Sequence, residues 1–145
     1  MTSAALPPFD DSWMAPGSRV TIIAQRGSGK TTLVRRLAAR FDAAHTTIAD
    51  DELPAVTVAL LRGAAARGDT AIVTAQYPYA VGDGNGAFDF VFAFRVACLR
   101  PIAKLHRRHF YAACNLAELR YHMSTLPPFG ALVMARGRRG LFRLV

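Results

Sequence analysis

The stretch Arg19-Val20-Thr21-Ile22-Ile23-Ala24-Gln25-Arg26-Gly27-Ser28-Gly29-Lys30-Thr31-Thr32 decides the fold. Its first half is apolar and β-branched and runs straight into glycines, the pattern of a short buried strand. Its second half matches the phosphate-loop pattern, with Ala24 in the place of the first glycine. That position only has to be small. Gly27 and Gly29 let the backbone curl so that successive N–H groups point inward at an anion. Lys30 is placed to reach the β- and γ-phosphates of a nucleotide, and the Thr31 hydroxyl to reach its magnesium ion. After the loop, Leu33, Val34, Leu37, Ala38 and Phe41 recur at helical spacing. A helix is therefore expected from Thr31 to about Phe41, with its positive dipole end on the same anion.

Further segments alternate outward from this core. Thr46-Thr47-Ile48-Ala49 reads as a short strand ending in Asp50-Asp51-Glu52. Pro54 suits a first helical turn, and the helix continues to about Arg67. Thr70–Ala75 reads as a second buried strand that ends at Gln76, and Asp89–Phe94 as a third. Residues 77–87, with Pro78, Gly82, Gly84 and Gly86, read as a loop. One or two helices are expected from Cys98 to about Tyr121, stopped by Pro127-Pro128. Ala131–Ala135 and Leu141–Val145 read as final strands around a basic turn, Arg136–Gly140. Strands alternating with helices imply an α/β three-layer sandwich on a mostly parallel sheet. The last two strands suit an antiparallel hairpin at its edge. Residues 1–17 read as an irregular lead-in and 18–145 as one domain, with Phe9 and Trp13 of the lead-in placed to fold back on the domain or against a nucleotide base.

An ATPase needs one acid to hold magnesium and another to polarise the attacking water. Asp50, Asp51 and Glu52 follow a strand, where such a pair belongs, and Asp50–Asp51 and Asp51–Glu52 are rival pairs. The competing reading is a helix N-terminus with acids in its first turn before Pro54. Gln76, at the carboxyl end of a buried strand, is placed to orient water or sense the γ-phosphate.

The 145 residues carry a formal net charge of +8, and lysine occurs only at Lys30 and Lys104, so the excess is arginine. Arginine forks suit a polyanionic partner, although an Ala- and Arg-rich composition alone would give the same excess. His106-Arg107-Arg108-His109, and Arg136, Arg138, Arg139 and Arg143, are the two basic clusters. Cys98 and Cys114 lie far apart and show no metal-ligand spacing. No secretory signal pattern and no membrane-spanning run is evident.

The order of these segments resembles the genome-packaging ATPases of large double-stranded DNA viruses, of the poxvirus and giant-virus type, in the HerA–FtsK branch of P-loop motors. The residues that carry the resemblance are the phosphate loop, the acid pair, Ala71–Pro78, Phe88–Arg95, the helix around Lys104, Leu105, His106, Phe110 and Tyr111, and Ala131–Met134. The resemblance implies a motor that hydrolyses ATP with magnesium. Lys30, Asp50, Asp51 and Gln76 would be catalytic, residues 24–32 (Ala24, Gln25, Arg26, Gly27, Ser28, Gly29, Lys30, Thr31 and Thr32) would bind nucleotide, and Thr31 and Asp50 would hold the metal. It implies double-stranded DNA, held without sequence preference, as partner. It also implies a homo-oligomeric ring, contact with capsid or portal proteins, no membrane span, and an intracellular location in host cytoplasm, viral factory or virion. The chain departs from that family in the short segment between Lys30 and Asp50 and in having Asn85-Gly86 where members carry an arginine. Arg67 lies near another arginine of that family, two residues short of its spacing, and is a candidate to act on a neighbouring subunit, with a solvated cation at a helix end as the competing reading. A small nucleoside or nucleotide kinase and a non-catalytic nucleotide-binding module stay open beside the motor.

Overall fold

The computed structural model describes residues 5–76, 88–96 and 99–145. The expected loop at 77–87, including the Tyr77-Pro78 part of the resemblance, and Cys98 lie outside the described residues. Six strands form one sheet: β1 (Arg19–Ile23), β2 (Thr46–Asp50), β3 (Thr70–Ala75), β4 (Phe90–Phe94), β5 (Ala131–Ala135) and β6 (Phe142–Arg143). Their order across the sheet is β2-β3-β1-β4-β5-β6. β2, β3, β1 and β4 are parallel, in register Val20↔Ile72 and Val20↔Phe90 around the central strand. β5 runs antiparallel to β4, and β6 antiparallel to β5, so the sheet is parallel at one side and ends in an antiparallel hairpin at the other.

Side chains alternate between the two faces of a strand, and the core divides accordingly. Val20, Ile22, Ile72, Phe90, Phe92, Phe94 and Val133 face α1 (Lys30–Ala38), which contributes Leu33 and Leu37. Phe9 and Met14 of the lead-in seal that layer, and Phe9 meets Phe92 edge to face at 5.1 Å between ring centres. Phe9 and Trp13 are thus packing residues, with Trp13 also against Phe142. Ile23, Val73, Val91, Ala93 and Leu132 face the other way. They are covered by Leu60 and Leu61 of α2 (Pro54–Arg67), Ile102 and Leu105 of α3 (Leu99–Leu105), and Leu119 and Met123 of α4 (Leu116–Thr125). Both faces of the central strands are therefore buried, which is why they read as continuous apolar runs rather than alternating ones.

Three boundaries differ from expectation. α1 stops at Ala38, and Phe41 packs from the turn beyond it. The last strand is Phe142–Arg143 alone, because Gly140 turns the chain at φ 83° and only two residues remain in register with β5. The helical stretch before Pro127 is two helices, as one option had it: α3 runs into a π-helical turn, His106–Phe110, and a separate α4 follows that ends at Thr125 rather than about Tyr121. Asn115 separates them: its side chain accepts the Glu118 N–H while the Glu118 carboxylate accepts the Asn115 N–H, a reciprocal cap that starts a new helix.

Candidate active site

The glycine loop leaves β1 at Ala24, which is buried and donates its N–H to the Ala75 carbonyl of β3 at 2.9 Å. This anchors the start of the loop to the sheet. The chain then turns through Gly27 at φ 77° and Gly29 at φ 101°, both left-handed values that favour glycine. Gly29 is the N-cap of α1, and no side chain caps that helix. The first N–H groups of α1 are therefore left for another acceptor, at the end of the helix where the dipole is positive. Gln25, Arg26, Gly27, Gly29, Lys30, Thr31 and Thr32 line a cavity of about 390 Å³. Ala24 lies beneath the loop, and Ser28, whose N–H donates to the Gln25 carbonyl, is not on the cavity wall.

Asp50 and Asp51 form the opposite wall of this cavity, and Glu52 lies outside it. The competing reading of these acids, as the opening of a helix, does not describe the structure. α2 has Leu53 as its N-cap and no acid in its first turn. Asp51 instead takes a left-handed backbone, φ 52°, which aspartate tolerates better than most residues. In that conformation its carboxylate forms an ion pair with the Lys30 ammonium.

One buried residue that the sequence reading did not assign ties the acids together. Thr74 on β3 donates its hydroxyl to Asp50 Oδ1 at 2.5 Å, and Thr74 Oγ1 accepts the Asp51 N–H at 3.0 Å. Thr74 is 2% exposed. β3 lies between β1 and β2 and pairs Asp50 with Thr74, so one side chain of the intervening strand reaches both carboxylate-bearing residues. The alternation of polar residues in Thr70-Ala71-Ile72-Val73-Thr74-Ala75 was the available signal: a hydroxyl one residue from the carboxyl end of an otherwise apolar strand.

Gln76 follows Ala75 at the same sheet edge, half-buried, next to the bond that anchors Ala24, but it does not line the cavity. Arg67 lies at the opposite edge, where its guanidinium bonds Asp69 at 2.9 Å and Thr47 at 3.3 Å. Cys114 is a free thiol, and burial pushes its pKa up to about 11, with the Glu118 carboxylate adding to the rise. It stays protonated at neutral pH and is a poor nucleophile.

Among the described residues no group of three His, Cys, Asp or Glu is placed to hold a metal ion. Magnesium in a nucleotide site takes one or two protein oxygens and fills its octahedron with phosphate oxygens and water. The Thr31 hydroxyl and the Asp50 carboxylate, both lining this cavity, fit that demand. No helix among the described residues is long and apolar enough to cross a membrane.

No family model and no curated protein matches the sequence. Solved structures do match. The genome packaging NTPase B204 from Sulfolobus turreted icosahedral virus 2, in complex with AMPPCP, superposes with a TM-score of 0.64 at 12% identity, over 89% of this chain and 97% of that one. The same protein with ATP-gammaS gives 0.63 at 11% identity, over 90% and 97%. With sulfate it gives 0.64 at 10%, over 91% and 98%. At such identity the likeness is one of fold. This chain has the mixed α/β fold of a P-loop NTPase, and the resemblance to viral genome-packaging ATPases read in the sequence is met in its fold neighbours.

Proposed function

We propose that this chain is an ATP-binding and ATP-hydrolysing subunit of a motor that moves double-stranded DNA, of the viral genome-packaging type. One observation supports this above others. The glycine loop, the open end of α1 and the Asp50–Asp51 pair face one another across a single cavity. Loop and helix end suit the triphosphate, and the acids stand where its terminal phosphate would lie. The fold neighbour, a genome packaging NTPase, holds AMPPCP and ATP-gammaS in its own structures, which supports the same ligand class here.

In this reading Lys30 binds the β- and γ-phosphates and leaves Asp51 when they arrive. Thr31 and Asp50 would hold magnesium, which would neutralise charge on the phosphate oxygens. Thr74 keeps Asp50 fixed and holds the Asp51 backbone, so Asp51 can turn its carboxylate without losing its place. Asp51 then accepts a proton from water as the water oxygen bonds the γ-phosphorus. The bond to the bridging oxygen breaks, and nucleoside diphosphate and orthophosphate leave. Gln76 serves as the γ-phosphate sensor from its place beside Ala24. Subunits would act as a homo-oligomeric ring at a capsid portal.

The test is orthophosphate release by the purified chain with magnesium and ATP, with and without double-stranded DNA. Release that rises several-fold with DNA is expected. Transfer of the phosphoryl group to an added nucleoside, indifferent to DNA, would indicate a kinase instead. Tight ATP binding with no release under either condition would leave a non-catalytic module.

Thr74 gives a finer test. Thr74→Val keeps the shape, removes the Asp50 hydrogen bond and orphans the Asp51 N–H. A buried hydrogen bond to a charged group is worth about 1.5–3 kcal/mol, so turnover should fall about 10- to 100-fold. KM for ATP should change little, because the phosphate loop is untouched. Thr74→Ser should restore turnover. A loss in the Ser variant with the Val variant near wild type would show that the methyl group, and not the hydroxyl, matters.

A further inference from the structure

A second cavity, of about 440 Å³, lies at the other edge of the sheet. Phe90, the first residue of β4, pairs with Val20 near the start of β1 and with Ala135 at the end of β5. The turn after β5 is therefore at the amino edge of β1, whereas the glycine loop leaves the carboxyl edge. The two basic clusters of the sequence, far apart in the chain, meet here. Arg108 comes from the π-helical turn, and Arg136, Arg138 and Arg139 from the turn between β5 and β6. Phe88, Val91 and Met134 form the floor, and Tyr111, 57% exposed, stands at the rim.

The arginines of the turn between β5 and β6 are exposed. Gly137 and Gly140, at φ 82° and 83°, make a tight turn that carries Arg138 and Arg139 outward. The Arg138 guanidinium is stacked on Trp13, 3.8 Å from the ring centre, which orients it and leaves its N–H groups their charge. The Arg136 guanidinium stands 3.7 Å from the Asp89 carboxylate, a long contact, and its side chain is 67% exposed. No carboxylate lines this cavity among the described residues. Forked cations in a cleft whose lining holds no carboxylate, with Asp89 only at its margin, beside an exposed aromatic ring, match a nucleic-acid backbone better than a protein surface.

We infer that this cleft binds the phosphodiester backbone of double-stranded DNA, through Arg136 and Arg139 with Arg138 and Arg108 beside them. The inference rests on the motor reading and assigns the surface that reading needs. It puts the DNA grip on the far side of the sheet from ATP, joined to the glycine loop by strands β1 and β4. Contacts of this kind are independent of sequence and weaken steeply with salt.

The experiment is fluorescence anisotropy of a labelled random-sequence duplex, titrated with the full chain over a range of salt. The wild type is compared with Arg136→Gln/Arg139→Gln and with Arg62→Gln/Arg120→Gln, a pair of exposed arginines elsewhere that lowers net charge equally. The cleft pair should weaken binding about tenfold or more and flatten the slope of log K against log salt by about 2, roughly 0.9 per phosphate contact. The control pair should leave the slope near that of the wild type. Thermal midpoints check folding, and if the cleft pair lowers its midpoint, Arg139→Gln alone carries the test. Equal weakening by both pairs would overturn the cleft in favour of bulk charge. An unchanged cleft pair would overturn it while DNA-stimulated release left the motor reading standing. Loss of self-association in sedimentation, with DNA affinity intact, would make the cleft a subunit contact. A wild-type chain that binds no DNA would sink the motor reading as well.

Discussion

Lys30→Ala should weaken ATP binding at least about 100-fold and reduce orthophosphate release to background. Lys30 begins α1, and its side chain is 12% exposed, so the ammonium is held inside the cavity rather than waving above it. Arg26 and Lys30 face Asp50 and Asp51 across that cavity, a formally neutral set. Removing Lys30 leaves the carboxylates in excess just where a triphosphate must enter. The variant thus loses an attraction and gains a repulsion, in a site partly shielded from water. Loss of one such preorganised group costs about 100- to 1000-fold in turnover. Lys30→Arg keeps the charge, but its rigid fork replaces a compact point charge, and it should recover only part of the activity. The thermal midpoint separates this from unfolding. Lys30 and Asp51 are partly exposed, and pairs of that kind contribute about 0–1 kcal/mol to stability. Titration with a fluorescent ATP analogue reads the binding arm. Unchanged affinity in Lys30→Ala would refute the assignment of this cavity to nucleotide.

Phe92→Ala should cost about 3–5 kcal/mol of folding stability. Phe92 sits at the middle of β4, fully buried, with β1 on one side and β5 on the other. Its ring fills the layer between the sheet and α1, where Phe9 meets it edge to face. Truncation leaves a ring-sized void that β4 cannot close, because both of its neighbours are hydrogen-bonded in register. With a slope of about 2 kcal/mol per molar urea, the unfolding midpoint should drop by about 1.5–2.5 M. Phe92→Leu, which keeps most of the volume, should lose much less. A loss under about 1 kcal/mol for the alanine variant would mean that α1 is not seated on this ring. The position of Lys30 would then need another support.

The glycine loop was legible because everything that makes it is local. A β-branched apolar run, two glycines at a fixed spacing and an amphipathic helix occupy consecutive residues, and each follows from its own backbone preferences. The same holds for α2 and β3, whose limits at Pro54–Arg67 and Thr70–Ala75 agree with expectation because Pro54 and Gly68 mark them. The limits of α1 and of the last strand were less legible. In both, the neighbour and not the residue decides where pairing or packing stops.

The amino-acid sequence by itself determined that a glycine loop of the phosphate-binding pattern lies between a buried strand and a helix, and that acids and clustered arginines accompany it. Only the tertiary structure decided which of them meet. Inserting β3 between β1 and β2 sets Thr74 under both acids and turns Asp50 and Asp51, but not Glu52, towards Lys30. Folding β5 back against β4 brings the arginines after it to those of the π-helical turn. Strand order and strand direction are settled by burial of faces far apart in the chain. No local preference of residues 46–52 or 131–143 encodes the order across the sheet, although the alternation of strands and helices and the short turn at 136–140 already pointed to the strand directions.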